Sequence, residues 1–578
     1  MKYSSERNVQ VLIALLKENG IRKAVISPGT TNVTFVQSLQ CDSFFELYSC
    51  VDERSAAYMA CGIAAECQCP VILSCTGATA SRNYYPGLTE AYYRKLPILA
   101  VTSVRDEMQV GNLIDQQLDK TIQPKDLVRA SFYLRSINNE DDEWDCVVKA
   151  NRAILELNHH GGGPVNIRLV TTYSRNYEVD ELPKVRKIER LQFDDSFPSI
   201  SSYKRIGIFI GNHRPCDDRL VKAIERFCLL HNAVVFCNPC SGYEGEKRVY
   251  YGLASTQPKT DVNCSPDLLI HLGNMSTFPW PFSSCKEVWR VCEDGEVSDP
   301  LRKLTKVFEM PEYYFFEHYS KGESIECEYY KACTKTLQSI RNTIPDLPFS
   351  NTWIAQTLSK LIPSPAELHL GILNSLRVWN LCDIPLGVNV SCNEGGYGID
   401  GCLSTAIGAS FSNPQKLHFC ILGDLAFFYD MNSMGNRHIS SNIRVLVVNN
   451  GRGNEFRQFT NHAYLLGEAA DPYIAAAGHF GNKSKSLIRL YSESLGFRYF
   501  SASNKDQFME TLPVFLSKDL EVPMLLEVFT ETVDENSALY AISNILDRDK
   551  NIVESIKTGA YKLLGKKTIT IAKKILDK

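Results

Sequence analysis

Short apolar runs rich in β-branched residues alternate with longer helical patterns along most of the sequence. The helical pattern of residues 9–19 ends at Gly20, and a helix of small residues is predicted for 55–65. Strands are predicted at 23–27, 71–75, 98–103, 164–169, 206–211, 233–237, 268–273, 417–423 and 443–449. This alternation is typical of parallel sheets covered by helices. We therefore predict an α/β protein with doubly wound parallel sheets.

The alternating pattern falls into three stretches of similar size. We predict an N-terminal domain over residues 1–177, a middle domain over 203–340 and a C-terminal domain over 350–546. The polar stretch 178–202 between the first two is interpreted as a linker. The last segment, 547–578, is basic and amphipathic, which is typical of a surface-packed helix and also of a helix that attaches to a membrane or a partner.

Composition narrows the class of protein. The 578 residues carry a net charge of −4, so they lack the basic character of a nucleic-acid-binding protein. The N-terminus is polar, and no apolar run reaches the roughly 18 residues of a transmembrane segment. We expect a cytoplasmic protein with neither nucleic acid as a partner nor a transmembrane segment. In that compartment the 20 cysteines are expected to be reduced thiols.

One pair of strand ends carries groups that suit a hard cation. The strand 417–423 ends at Gly423 and leads into Asp424, and the strand 443–449 leads into Asn450, 26 residues after Asp424. That interval holds one crossover helix, so both strand ends face the same crevice. Carboxylate, amide and carbonyl oxygens suit magnesium, and adjacent glycines let backbone N–H groups approach phosphates. The alternative is two unrelated polar strand ends.

A second carboxylate stands at a strand-to-helix junction in the first domain. Asp52 and Glu53 immediately precede the predicted helix of small residues. A glutamate at this junction can point into a cleft between domains and act there as a general acid or base. The alternative is that both acids only supply favourable charge to a helix N-terminus.

Taken together, these motifs resemble the thiamine-diphosphate-dependent decarboxylase superfamily. More narrowly, they resemble the branch that contains the menaquinone-pathway 2-succinyl-5-enolpyruvyl-6-hydroxy-3-cyclohexene-1-carboxylate synthases. The matching segments run in order along the chain at 26–29, 52–54, 75–80, 83–86, 398–401, 403–405, 423–425, 429–430 and 449–450. The resemblance implies thiamine diphosphate and Mg²⁺ as cofactors, a pyrimidine-binding first domain and a diphosphate-binding third domain. It also implies a homodimer or homotetramer with the active site between subunits.

The resemblance assigns roles to individual residues. Asp424, Asn450 and the main-chain carbonyl of Arg452 would bind the metal. Glu53 would activate the cofactor, and Gln117 would lie near the reacting centre, which makes these two the candidate catalytic residues. The candidate cofactor-binding residues are Gly77, Asn83, Ile399, Gly423, Asp424, Leu425 and Asn450. Leu425 stands where the family motif has a glycine.

The substrate-binding segments depart from that branch, whose members grip the carboxylates of isochorismate and 2-oxoglutarate with basic residues. Thr31 and Trp379 stand where the family has arginine, Glu394 reverses a charge, and residues 273–280 lack a Lys-Arg pair. Hydroxyl, amide and aromatic groups suit a polyhydroxylated acceptor instead. The candidate substrate residues are Thr30, Thr31, Asn374, Trp379 and Glu394.

We therefore predict a carboligase, a transferase or lyase that decarboxylates a small-molecule 2-oxo acid and transfers the acyl carbanion to an acceptor. An activated sugar in surface-polysaccharide biosynthesis is the expected acceptor. The alternatives are the menaquinone-pathway synthase itself, a simple 2-oxo-acid decarboxylase and a flavin-dependent acetolactate synthase. A catalytically silent cofactor-binding protein is the non-enzyme alternative, and the presence of Glu53, Asp424 and Asn450 argues against it.

The neighbouring histidines His159 and His160 invite comparison with the histidine pair that some decarboxylases of this superfamily use for protonation. They lie at a predicted helix end, just before a run of glycines. Because cationic side chains favour helix C-termini, the pair is interpreted as a helix cap.

Overall fold

The computed structural model describes residues 2–258, 264–274, 282, 284–479, 483–518 and 521–546. The described residues form two units, one of residues up to Ser196 with Asp294–Glu309, and one of Phe197–Glu293 with the residues from Met310 onward. The predicted boundaries of three domains stay predictions. The basic tail 547–578 and residues 275–280 of the segment without a Lys-Arg pair lie outside the described residues.

Three parallel sheets, of six, seven and six strands, carry the fold, which confirms the predicted class. In chain order the strands are β1 (Lys23–Ile26), β2 (Glu46–Ser49), β3 (Val71–Thr76), β4 (Ile98–Val104), β5 (Ala130–Leu134), β6 (Val165–Val170), β7 (Glu189–Leu191), β8 (Ile206–Ile210), β9 (Ala233–Cys237), β10 (Arg248–Val249), β11 (Leu268–Leu272), β12 (Glu287–Cys292), β13 (Leu304–Glu309), β14 (Ala366–Leu370), β15 (Val388–Cys392), β16 (Leu417–Gly423), β17 (Ile443–Asn449), β18 (Arg498–Ala502) and β19 (Met524–Phe529).

Helices separate most of these strands. They are α1 (Arg7–Glu18), α2 (Val33–Gln40), α3 (Glu53–Cys67), α4 (Thr79–Asn83), α5 (Tyr85–Arg94), α6 (Glu140–Glu156), α7 (Asp218–His231), α8 (Gly252–Ser255), α9 (Glu312–His318), α10 (Glu328–Arg341), α11 (Asn351–Leu358), α12 (Asn374–Trp379), α13 (Cys402–Ser412), α14 (Asp424–Asp430), α15 (Leu487–Ser494), α16 (Lys505–Phe515) and α17 (Thr532–Ser543). Short 3-10 turns lie at Thr30–Asn32, Glu107–Gln109, His159–Gly161, Pro239–Ser241, Met431–Gly435, Asn454–Arg457 and His462–Ala470.

The first unit is built on a sheet with strand order β2-β1-β3-β4-β6-β5. Helices α1, α2 and α6 contribute to one buried cluster, and α3 and α5 contribute to another. Two separate apolar clusters against one sheet are the mark of a doubly wound fold, in which helices cover both faces. The same unit contains the parallel pair of β7 and β13. β7 lies within residues 178–202, and no strand was predicted there.

In the second unit, β14 to β19 form a sheet with order β15-β14-β16-β17-β19-β18. Its central strands β16 and β17 are buried almost throughout, as expected of strands covered on both faces. The strands β8, β9, β10, β11 and β12 of this unit also pair in parallel, with β8 between β9 and β11.

Two further findings concern membranes and thiols. Among the described residues, no helix is long and apolar enough to cross a membrane. Eighteen cysteines are free, as predicted for reduced thiols. Cys67 and Cys69 form a disulfide, which corrects the prediction for this pair. Their Cα atoms lie 5.3 Å apart, within the span that a disulfide bridges.

Candidate active site

The strand ends that carry Asp424 and Asn450 are neighbours in the second unit. β16 and β17 pair in parallel, with Gly423 opposite Val448. Asp424 begins α14 directly after β16, and Asn450 follows the last residue of β17. The register therefore brings the carboxylate and the two asparagines together at the carboxyl edge of the sheet, where ligand sites of open α/β sheets lie.

The Asp424 carboxylate is buried at this edge. Asp424 is 3% exposed, and its Oδ2 accepts a hydrogen bond from the Gly451 backbone N–H at 2.8 Å. Burial raises the pKa of Asp424 to about 7, although the backbone N–H groups of Leu425 and Gly451 act in the opposite direction. A cation bound here would favour the ionised form and so offset the cost of burial.

The two asparagines after β17 differ in how their side chains are satisfied. Asn449 donates from Nδ2 to Oε1 of Glu527 at 2.6 Å, and its Oδ1 accepts from the Gly451 N–H at 3.2 Å. Asn450 Oδ1 is buried and has no hydrogen-bond partner among the described residues. An unsatisfied buried acceptor costs about 1–3 kcal/mol, which a metal ion on that oxygen would remove. Asp424 and Asn450 therefore fit a magnesium ion.

The turn after Asn450 is held by contacts of its own. Gly451 has a φ of 74°, a left-handed conformation that favours glycine. The Arg452 guanidinium pairs with Asp471 at 2.8 Å, and the Gly453 N–H donates to the Ala475 carbonyl at 2.6 Å. These contacts fix the loop whose main-chain carbonyl at Arg452 is the predicted third protein ligand of the metal.

The other predicted cofactor residues of this unit surround the same edge. A Cβ added to Gly423 would meet no atom within 4 Å among the described residues, so open space lies beside its backbone. Such space lets a phosphate approach the N–H groups at the start of α14. Leu425 is half-buried, and its Cδ1 lies 3.3 Å from the position of a Cβ on Gly453. Ile399 is half-buried and packs on the apolar cluster that includes Leu403 and Phe427.

In the first unit, Glu53 is the first residue of α3. The helix begins here because the Asp52 carboxylate caps it, accepting from the Ser55 N–H at 2.8 Å. Glu53 itself is half-buried, and its Oε2 accepts from Asn83 Nδ2 at 3.3 Å. The structure therefore joins two predicted site residues, and it assigns the capping role to Asp52 instead of Glu53.

Gly77 and Gln117 lie elsewhere in this unit. A Cβ on Gly77 would stand 2.6 Å from Val104 Cγ1 and 2.8 Å from the Ser103 carbonyl oxygen, so close packing requires a glycine. Gln117 is half-buried and donates from Nε2 to the Asp106 carbonyl at 3.3 Å. The roles of these two residues toward a cofactor or substrate stay predictions.

The predicted substrate residues of the first unit differ in exposure. Thr30 is exposed, whereas Thr31 is buried, and its hydroxyl donates to the Ser103 carbonyl at 3.2 Å. The Thr31 carbonyl in turn accepts from the Thr171 hydroxyl at 2.8 Å. Both polar groups of Thr31 are thus engaged in the fold, and contact with a substrate stays a prediction for both threonines.

The predicted substrate residues of the second unit are more buried than expected of binding groups. Asn374 is half-buried and accepts from Arg377 Nη1 at 2.9 Å. Trp379 is wholly buried, and Glu394 is 6% exposed. Neither carboxylate oxygen of Glu394 accepts a hydrogen bond from a nitrogen or oxygen donor among the described residues, and only the weakly donating Cys240 thiol interacts with the carboxylate. Burial raises the pKa of Glu394 to about 7, and the neighbouring Cys240 thiol lowers it in part.

Three further features, one in the first unit and two in the second, were not predicted. Lys120 is buried, donates to the Ser81 hydroxyl, and has its pKa lowered by burial to about 8. Leu373, directly before α12, has a φ of 71°, a strained conformation of the kind found at functional sites. Glu527 is wholly buried in β19, where burial raises its pKa, and it binds Asn449. A lone glutamate in an apolar strand was the signal available in the sequence for Glu527.

The sequence of this chain is similar to those of known proteins. Residues 7–124 match the model of the thiamine pyrophosphate enzyme, N-terminal TPP binding domain. A 2-succinyl-5-enolpyruvyl-6-hydroxy-3-cyclohexene-1-carboxylate synthase of Bacteroides thetaiotaomicron is 31% identical over 557 residues, covering 91% of this chain and 96% of that protein. Proteins of the same name from Phocaeicola vulgatus and Flavobacterium johnsoniae are 30% and 27% identical over 93% of this chain, with 98% and 99% of their own lengths covered. The chain therefore belongs to the family of thiamine-diphosphate-dependent enzymes that includes these synthases.

Proposed function

We propose that this enzyme is a Mg²⁺-dependent carboligase of the 2-succinyl-5-enolpyruvyl-6-hydroxy-3-cyclohexene-1-carboxylate synthase type, which removes CO₂ from a 2-oxo acid and joins the remaining acyl group to an acceptor. The observation that carries the proposal is the unsatisfied Asn450 oxygen beside the buried Asp424 carboxylate. Bound thiamine diphosphate supplies the nucleophilic carbon and the electron sink for loss of CO₂. The synthase type comes first because relatives of that name match nearly the whole chain.

In this proposal the second unit holds the metal and the diphosphate. Asp424, Asn450 and the Arg452 carbonyl supply three oxygens, and phosphate oxygens and water complete the octahedral shell that magnesium requires. Asp424 then stays ionised, because the cation offsets the burial that raises its pKa to about 7. The open backbone at Gly423 receives the phosphate.

The first unit supplies the proton-handling group. Glu53 would hold and release a proton at its carboxyl group for the aminopyrimidine ring of the bound cofactor. Asn83 donates to Oε2 of Glu53, which restricts the rotation of the carboxylate and leaves Oε1 for the ring. Gln117, on the loop between β4 and β5, orients the substrate through its side-chain amide.

Two acceptors are compatible with this chemistry. Isochorismate, with 2-oxoglutarate as the donor acid, is the pair of the synthase named above, and the buried Lys120 of the first unit is a cation suited to their carboxylates. A neutral polyhydroxylated acceptor, such as an activated sugar, is the second candidate. The second candidate is favoured by Glu394, because a buried carboxylate without a cationic partner among the described residues repels a polyanion and accepts hydrogen bonds from hydroxyl groups. Arg377 does not offset this charge, since it pairs with Glu455 at 2.6 Å.

The proposal includes the assembly that the family resemblance implies. A homodimer or homotetramer would bring Glu53 of one subunit to the metal site formed by Asp424 and Asn450 of another. Symmetric assemblies of this kind repeat the same site at each equivalent interface.

The first test measures CO₂ release by the purified protein with thiamine diphosphate and Mg²⁺. A panel of 2-oxo acids that includes pyruvate and 2-oxoglutarate is supplied, each alone and with isochorismate or a nucleotide sugar. Glu53→Gln is expected to abolish release. Glu66→Gln, which changes an exposed glutamate of the same helix, is expected to leave it intact.

The outcomes separate the candidates. Release from 2-oxoglutarate that rises with isochorismate supports the synthase reaction, whereas a nucleotide-sugar adduct in the mass spectrum supports the second acceptor. Release without any adduct favours a simple decarboxylase. If the cofactor binds but no acid releases CO₂ under any of these conditions, the carboligase proposal fails and the catalytically silent alternative is favoured.

A further inference from the structure

One pair of cysteines in the first unit is oxidised. Cys67 is the last residue of α3, Cys69 lies two residues later, and their sulfurs form a disulfide. The other eighteen cysteines are not disulfide-bonded, and some of them, such as Cys41 and Cys216, are half-buried as the bonded pair is. The bond therefore reflects the local geometry of the turn at residues 67–69.

Backbone contacts of this turn bring the two sulfurs together. Gln68 ends α3 in a left-handed conformation with a φ of 51°, a usual way for a helix to end. Its Nε2 donates to the Ala65 carbonyl at 2.6 Å, which satisfies an acceptor of the last helical turn. The Cα atoms of Cys67 and Cys69 are 5.3 Å apart. Two thiols held at that spacing re-form a disulfide readily, because the reaction is intramolecular.

The elements on either side of the turn are anchored by other contacts. Cys61 and Ala64 of α3 are buried in an apolar cluster of this unit. Val71, the first residue of β3, pairs with Lys23 of β1 and with Ile98 of β4. A disulfide that closes so short a loop removes little entropy from the unfolded chain. The fold therefore does not depend on this bond, and the bond can open without unfolding of the first unit.

The disulfide is also accessible to a thiol in solution. Both cysteines are half-buried, and their neighbours Glu66 and Gln68 are exposed. Exposed disulfides have the more oxidising potentials and are the labile ones, whereas structural disulfides resist reduction by glutathione. The position of the Cys67–Cys69 bond is that of the labile class.

We propose that Cys67 and Cys69 are a redox-active pair that exchanges with low-molecular-weight thiols such as glutathione. The thiolate of one small thiol attacks a sulfur of the pair, so that a mixed disulfide forms and the other cysteine leaves as a thiolate. A second small thiol attacks the mixed disulfide, forms the small-molecule disulfide and releases the remaining cysteine. Two small thiols are thereby oxidised, the protein disulfide is reduced, and two protons pass to the cysteine pair. The exchange needs neither cofactor nor substrate, so it does not depend on the proposed function.

The test equilibrates full-length protein, loaded with thiamine diphosphate and Mg²⁺, in glutathione buffers that run from fully reduced to fully oxidised. After acid quenching, unfolding and alkylation, mass spectrometry measures the oxidised fraction of the peptide that contains residues 67–69. We expect the reduced fraction to rise from about one tenth to about nine tenths over a hundredfold increase in [GSH]²/[GSSG], as a two-electron couple requires. Cys237 and Cys240 are the matched pair, and they are expected to stay thiols because both are buried.

A variant isolates the first half of the exchange. In Cys69→Ser the remaining Cys67 has no neighbouring thiol to displace glutathione, so it is expected to hold glutathione as a stable mixed disulfide. Cys41→Ser, which removes another half-buried cysteine, is expected to titrate as wild type does. A wild-type pair that stays oxidised in fully reduced buffer is a structural disulfide and overturns the proposal. The proposal also fails if the pair stays reduced in fully oxidised buffer, or if Cys69→Ser takes up no glutathione.

Discussion

Replacement of Glu394 by glutamine is expected to stabilise the protein above neutral pH. Glu394 is 6% exposed, and among the described residues its carboxylate interacts only with the weakly donating Cys240 thiol. Burial raises its pKa from 4.5 to about 7. The folded protein therefore carries a destabilising charge at high pH, and glutamine removes that charge while it keeps the shape of the side chain.

The size of the effect follows from the difference between the two pKa values. A shift from 4.5 to about 7 corresponds to about 3 kcal/mol at 1.36 kcal/mol per unit. Below pH 4.5 the carboxyl is protonated in both states and costs nothing. As pH rises, the unfolded chain loses its proton first, so the cost grows and is complete above pH 7. The variant should exceed wild type by up to about 3 kcal/mol at pH 8 and match it near pH 4.5.

Thermal unfolding of both proteins between pH 5 and pH 8 measures this difference, with Glu66→Gln as a control for loss of an exposed charge. We expect the melting temperature of Glu394→Gln to exceed that of wild type by several degrees at pH 8, with a gap that narrows toward pH 5. A gap that is independent of pH, or a variant less stable than wild type at pH 8, would refute the reasoning, because it would mean that the carboxylate is paired in the folded protein.

Three further predictions concern the metal, the assembly and the packing of the first unit. Metal binding requires the ionised form of Asp424, whose pKa is about 7. The apparent Mg²⁺ affinity in cofactor-binding titrations should therefore fall by about tenfold from pH 8 to pH 6. Asp424→Asn should bind Mg²⁺ weakly at both pH values, and a wild-type affinity that does not change with pH contradicts the assignment. Co-expression of Glu53→Gln and Asp424→Asn, each inactive alone, should restore about one quarter of wild-type activity. Half of randomly paired dimers are hybrids, and one of the two sites in each hybrid is intact. No restored activity would argue against a site shared between subunits. Gly77→Ala should destabilise the first unit by about 1–3 kcal/mol through contact with Val104 and the Ser103 carbonyl. Gly62→Ala, in open space on α3, should instead stabilise it by about 0.5–1 kcal/mol. Proteolysis should therefore cleave the first unit faster than wild type in the Gly77 variant and more slowly in the Gly62 variant.

Much of the fold was predictable because the central strands are buried on both faces. β9, β16 and β17 have the predicted bounds, since continuous apolar runs between polar residues leave little choice of register. β7 was missed because it has only three residues, all half-buried, so it carries no apolar run. Its partner β13 is 113 residues or more away in sequence, and no local pattern reports such a pairing.

In the candidate site, the positions of the metal-binding residues were predictable from the sequence, whereas the environment of the substrate residues was not. Asp424 and Asn450 were found because strand ends and spacing report backbone topology, and topology brings them together. The environment of Glu394, Thr31 and Trp379 depends on side-chain packing, which the sequence does not encode locally. The contacts of His159 and His160 with Glu309 were missed for the same reason as β7, since a strand distant in sequence supplies the carboxylate.

The first unit consists of two separate segments of the chain, and this affects how it folds during synthesis. Asp299 and Glu309, from its second segment, bind Arg186 and the turn after α6, so the unit is incomplete when Ser196 leaves the ribosome. At 5–20 residues per second, synthesis of the next 113 residues takes roughly 6–23 s. During that interval the nascent first unit lacks β13, the strand that pairs with β7. A fragment that ends at Ser196 would carry the same gap permanently.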